Sequence, residues 1–225
     1  MNASFELQDL GFVLGTAQQD PTFFNLDFLQ YTGIIPATWE LERQPTRNNA
    51  SAQVNFVNGI TLIAEPTQTL FLEAANDKTL EDMESPNVAL RYSEIMKNMT
   101  YRDVTINFRG FISFPDAPEA AHRYFFEALM APGPWQQMGS SPVRGGLNLL
   151  YTFDQKRLNL TVQEAAVRRF DEASVAALVF SGSCENGIDL TTVPNPLSTV
   201  QGLIRNWQVD LKLFVDVVAK FVTNS

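Results

Sequence analysis

Few residues in this chain could do chemistry, and they are scattered. His122, beside Arg123, is the only imidazole, and Cys184 is the only thiol. Nucleophilic catalysis of the common kind needs a base next to a Ser, Thr or Cys. His122 falls mid-way along an expected helix, just before Tyr124 and Phe125 and off the apolar stripe, which reads as a structural histidine. Cys184 closes an apolar run, Ala176 to Phe180 followed by Ser181-Gly182-Ser183, where a lone thiol packs as a small hydrophobe. One His and one Cys speak against a zinc site, and no metal or cofactor is expected.

Paired carboxylates are the remaining route to acid-base work. Glu40 and Glu42 share a face if their segment is extended, and Asp77, Glu81, Asp82 and Glu84 gather ahead of a helix start. The second group lacks the alternating Asp/Asn pattern and the Gly of a calcium loop. Small residues surround Arg144 in Gly139-Ser140-Ser141-Pro142-Val143-Arg144-Gly145-Gly146, and they could bring backbone N–H groups and a guanidinium to an anion. The Lys-Ser/Thr ending of a P-loop is missing, and the corresponding loop around Arg47 carries Asn48 and Asn49 instead of glycines. Trp39 and Trp135 are the other candidates. Each stands between a helix and a strand-rich stretch, either as an anchor on a binding surface or as a lid on its local core.

These residues must be positioned by a real core. The chain has 225 residues, 45% of them hydrophobic and 18% charged, with 17 Phe, which excludes disordered and disulfide-scaffold classes. Sixteen Lys plus Arg against 25 Asp plus Glu leave a net charge of -9, unfavourable for a phosphate backbone, so nucleic acid is not an expected partner. Residues 1–98 hold five bases and thirteen acids, a net of -8, and the remainder is close to neutral. The first basic residue is Arg43, so the N-terminus lacks a secretory signal pattern. Asp210, Lys212, Asp216 and Lys220 interrupt the most apolar stretch, and the expectation is a cytoplasmic protein that does not span a membrane. Sequons at Asn2, Asn49, Asn98 and Asn159 are read as chance.

An internal repeat organises the chain. Pro36-Ala37-Thr38-Trp39 recurs as Pro132-Gly133-Pro134-Trp135, and Pro45-Thr46-Arg47 as Pro142-Val143-Arg144. At a similar offset Phe5 matches Tyr101, Leu10 matches Ile106, Phe12 matches Phe108 and Phe28 matches Tyr124. Val54-Asn55-Phe56 and Ile60 to Ala64 match Tyr151-Thr152-Phe153 and Leu158 to Val162, with a turn one residue longer in the second copy. The expected units are residues 1–98 and 99–225, forming one body with pseudo-twofold symmetry.

Each unit predicts the same elements. A strand opens it, Ser4 to Leu14 or Tyr101 to Phe114, with apolar and polar residues alternating. Asp20-Pro21 and Asp116-Ala117-Pro118 predict helix starts; the second helix, Ala120 to Met130, would bury Ala121, Tyr124, Phe125, Ala128 and Leu129. A meander follows, turning at Asn58-Gly59 and at Asp154-Gln155-Lys156 and continuing through Thr67 to Ala74 and Ala173 to Cys184. Ser85-Pro86 and Asn195-Pro196 predict the closing helices. Their stripes are Val88, Ala89, Tyr92, Ile95 and Met96 in the first, and Val200, Leu203, Ile204, Trp207, Leu211, Phe214, Val218, Phe221 and Val222 in the second.

The result is an α+β fold, a tandem strand-helix-antiparallel meander-helix unit with helices on one face of a curved antiparallel sheet. In element order alone it resembles the TATA-binding-protein-like and helix-grip folds, and no functional residue is carried over from either. Val209, Leu213 and Val217 lie beside the main stripe of the C-terminal helix and predict apolar area in need of cover. The expected function is a non-enzymatic interaction or scaffold module meeting a protein partner, or a second copy of itself, through the sheet face or that helix. Trp39, Arg47, Trp135 and Arg144 are the other expected contacts. A carrier of a small apolar ligand, and an enzyme using carboxylates or the Arg144 loop, are the alternatives.

Overall fold

A computed structural model describes residues 5–75, 78–114, 117, 119–167 and 174–222. Asn2, Ser4, Asp77, Asp116, Pro118 and Ala173 of the sequence reading lie outside the described residues. Two long strands, β1 (Phe5–Thr16) and β6 (Tyr101–Ser113), run side by side in the sheet. After β1 come α1 (Leu26–Tyr31), β2 (Thr46–Arg47), β3 (Ala52–Asn55), β4 (Ile60–Glu65), β5 (Gln68–Ala74) and α2 (Ser85–Ile95). After β6 come α3 (Ala120–Arg123), β7 (Gly146–Phe153), β8 (Lys156–Val167), β9 (Val175–Asn186), α4 (Pro196–Arg205) and α5 (Trp207–Val222). The fold is α+β, with an open sheet of nine antiparallel strands in the order β2-β3-β4-β5-β1-β6-β9-β8-β7 and five α-helices among the described residues.

Alternation sorts each strand into two faces. Leu10, Phe12 and Leu14 of β1, Val104, Ile106 and Phe108 of β6, Leu158, Leu160 and Val162 of β8, and Phe180 of β9 are buried on one face. Helix residues Leu29, Val88, Ala89, Tyr92, Phe125, Val200, Ile204, Trp207, Leu211, Phe214 and Val218 join them in a single core cluster. Each such side chain contributes roughly 1.5–3 kcal/mol by leaving water, so this shared core dominates the stability. At Gly182 a Cβ would stand 2.5 Å from the Phe214 ring, so the missing side chain lets α5 settle onto β9. Gly59 has φ +84° in the Asn58-Gly59 turn, as that hairpin requires.

Several local expectations are corrected. Asp20 caps only a single 3-10 turn, Pro21–Phe23, and Asn25 starts α1 by accepting from the Phe28 amide at 2.9 Å. The helix from Ala120 widens into a π-helix over Tyr124–Leu129, which turns Phe126 inward and leaves Ala128 exposed. In α2, Ile95 is 44% exposed, while Ser93 is buried with its hydroxyl donating to the Leu90 carbonyl at 2.7 Å. Ser85 does not cap α2, because Glu73 reaches across from the sheet and accepts from the Glu84 and Ser85 amides. The closing helix of the second half breaks at Asn206 into α4 and α5. Phe153 pairs with Lys156, so the second turn is shorter than the first. Asn195 does cap α4 as expected, accepting from the Ser198 amide at 3.1 Å. Among the described residues no helix is long and apolar enough to cross a membrane.

Candidate functional site

The face of the sheet turned away from the helices carries a groove of about 690 Å³ across the middle strands. The strand registers line up its floor. Asn55 on β3 faces Thr61, which faces Leu72, then Gly11, Asn107, Ser183, Asn159 and finally Leu150 on β7. A neighbouring row runs Asp9, Arg109, Ser181, Thr161, Asn148. Residues directly opposite across strands share a face, so these rows present amides and hydroxyls along one surface.

The two ends of the groove differ from its centre. On the β3 side, Asn55 is buried and its Oδ1 accepts from Arg43 at 3.1 Å, Gln53 at 3.0 Å and Thr61 at 3.0 Å. On the β8 side, Asn159 donates to Glu185 at 2.9 Å and Thr161 to Asn148 at 2.8 Å. In the centre, Asn107, Ser181 and Ser183 make no side-chain hydrogen bond among the described residues. Burial pushes the Asp9 carboxyl above its usual range, opposed by the positive charge of Arg109 on the adjacent strand. The centre therefore holds donors and acceptors unpaired among the described residues, beside one partly desolvated acid and one exposed base, on a surface with apolar Ile63 and Leu72 to one side.

A smaller concavity of about 500 Å³ lies between the π-helix and the loop that follows it. His122 Nδ1 is 2.8 Å from Glu164 Oε2, and the ring tilts against Phe126 with centroids 4.6 Å apart. The Glu164 side chain is 7% exposed, and Arg144, 81% exposed, approaches its other oxygen at 3.8 Å. A histidine held by a buried carboxylate can act as a base, but no Ser, Thr or Cys lines this concavity among the described residues.

The residues expected to make contacts are not brought together. Trp39 is half-buried against Phe56, with ring centroids 5.1 Å apart, and lines a separate concavity beside α2. Trp135 is 41% exposed and 6.1 Å from Phe126. Arg47, on the edge strand β2, donates to the Thr22 carbonyl at 3.0 Å. Val209 is exposed on α5, whereas Leu213 and Val217 are half-buried. None of the seven lines the groove.

Cys184 is buried on the core side, and that burial pushes its thiol to about 12, with Asp210 adding to the shift and Lys156 opposing it. Glu81, Asp82 and Glu84 form no metal-binding group among the described residues; Asp82 accepts from Thr79 and Glu84 from Asn58. The sequence reading missed the groove's polar centre. Its trace was there in the polar positions between apolar ones on β6 and β9, but alternation does not reveal which strands become neighbours. No protein-family model matches the chain, and no curated protein matches it.

Proposed function

We propose that this chain is a non-enzymatic protein-binding module whose open-face groove receives an extended polypeptide segment of a partner. The observation that carries the reading is the set of side chains at the groove centre, Asn107, Ser181 and Ser183, that have no hydrogen-bond partner among the described residues and are flanked by Asp9 and Arg109. Amides and hydroxyls both donate and accept, as a peptide backbone does, and the Asp9-Arg109 pair adds orientation. Of the groove's two arginines, Arg43 bonds Asn55 at one end and Arg109 stands beside Asp9, so they form no basic stripe, which favours polypeptide over nucleic acid. The open face is favoured over α5, where Val209 alone of the three expected contacts is exposed and Leu213 and Val217 are half-buried. On the helix side, Phe71 packs on Tyr92 and Phe108 on Phe214, which favours a filled core over an apolar ligand cavity.

The same proposal includes a tandem duplication of residues 1–98 and 99–225, with the element order of TATA-binding-protein-like folds. The register of β1 against β6 supports it. Leu10 faces Phe108 and Phe12 faces Ile106, so shifting by the repeat offset exchanges one pair for the other, about a centre at Gly11 and Asn107. Outward from that centre the order β5-β4-β3 on one side corresponds to β9-β8-β7 on the other.

Selection of a random-peptide display library on the immobilised full-length chain tests the binding reading. Enriched peptides should compete for one site and lose at least about tenfold in affinity on the Asn107→Ala/Arg109→Ala variant, as expected for a lost charge-assisted bond. Peptides that bind this variant with unchanged affinity would overturn it.

A further inference from the structure

The two edges of the sheet are finished differently. At one edge, β2 is two residues long, follows Pro45 and carries Arg47, features that block further strand pairing. At the other edge, β7 is eight residues long, Gly-Leu-Asn-Leu-Leu-Tyr-Thr-Phe, with no charge and no proline. Phe153 and Lys156 flank a two-residue turn, so Phe153, Tyr151, Leu149 and Leu147 spend their backbone groups on β8. The N–H and C=O groups of Gly146, Asn148, Leu150 and Thr152 then point outward, and they have no backbone partner among the described residues. Leu150 is 60% exposed, and Leu147, Leu149, Tyr151 and Phe153 carry the core to this edge half-covered.

We infer that β7 is the seam of a homodimer, pairing antiparallel with β7 of a second copy about a twofold axis. Three observations select a second copy. The strand is self-complementary: centred on Leu149 or on Leu150, antiparallel pairing sets the apolar row Leu147, Leu149, Tyr151, Phe153 against itself and the Asn148, Leu150, Thr152 row against itself. The seam holds no charge, so a chain of net charge -9 brings no like charges into direct contact along it. Because the β2 edge is blocked, growth stops at two copies instead of continuing into a fibre. The twofold leaves both open faces on one side of a continuous sheet. The inference does not depend on what the groove binds.

Light scattering on the eluting full-length chain, across micromolar concentrations, tests it. Wild type should run at twice the chain mass. Leu150→Lys, Leu150→Glu and Leu150→Pro should each run at the chain mass with an unchanged circular dichroism spectrum, their dimer dissociation constants raised at least about tenfold. Proline at 150 removes an outward N–H and leaves the β8 ladder intact. An equal mixture of the Lys and Glu variants should recover the dimer, a result that misfolded variants could not give. A monomeric wild type, an assembly larger than two, or variants that dimerise like wild type would each overturn the inference.

Discussion

Glu73 is the residue whose replacement tests the packing argument most sharply. Its side chain is fully buried on β5 and accepts from Lys78 Nζ at 2.7 Å, the Ser85 amide at 2.7 Å and the Glu84 amide at 3.0 Å. One carboxylate thus fastens the start of α2 to the sheet. Glu73→Gln keeps the shape, removes the charge and turns one acceptor into an NH₂ group that must face either the ammonium or a backbone N–H. Hydrogen bonds to charged groups contribute roughly 1.5–3 kcal/mol each against about 1 kcal/mol for neutral ones. Breaking one side of a buried ion pair costs about 3–5 kcal/mol. With three bonds weakened and one donor left facing another, the expected loss is roughly 3–5 kcal/mol. For a chain of this size, that lowers Tm by roughly 6–20 °C. Lys78→Met leaves that fully buried carboxylate without its counter-ion and should cost a similar amount, roughly 3–5 kcal/mol. Urea and thermal unfolding followed by circular dichroism read both. A Glu73→Gln variant within about 1 kcal/mol of wild type at the same m value would refute the reasoning.

Two further outcomes follow from the sheet itself. Burial holds the Asp9 carboxyl above its ordinary 3.8, so the folded state keeps that proton more tightly than the unfolded chain. Stability from this group therefore falls as pH rises from the unfolded value through the raised one, and Asp9→Asn should melt higher than wild type at pH 7, with the gap closing below about pH 4; a gap that does not change with pH would contradict this. Gly182→Ala forces a methyl toward the Phe214 ring, 2.5 Å from the ideal Cβ, and should cost about 1–3 kcal/mol, part of it recovered by adding Phe214→Leu. Additive losses in a double-mutant cycle would deny the contact.

The strands and helices were legible because their periodicity is local. The alternation of β6 and β8 and the stripes of α2 and α5 stand in the sequence much as they stand in the fold. Where tertiary contacts overrode local signals, the reading failed. Glu73 replaced Ser85 as the partner of the α2 amides, a long-range bond that no cap signature encodes. The break at Asn206 accompanies the burial of Asp210, which sits in the core with Lys156 as its ion-pair partner; in the sequence it stood only as a charge interrupting an apolar stretch, with nothing local to mark a buried pair. The groove was invisible for a third reason. Asn107 and Ser183 are 76 residues apart and become neighbours only through the β6-β9 pairing, so their joint surface is a property of topology. His122 was read as structural, and its bond to Glu164 spans 42 residues in the same way.

The central claim is that the centre of the open face is where a polypeptide partner sits. Side-chain amide resonances of ¹⁵N-labelled protein, titrated with the best peptide from the display selection, test it directly. Resonances of Gln53, Asn55, Asn107 and Asn159, all lining the groove, should shift together and saturably, while those of the helix caps Asn25 and Asn195 stay in place. Saturable shifts confined to the caps, to Gln136 in the concavity beside His122, or to Asn148 and its neighbours on the β7 edge would contradict the account.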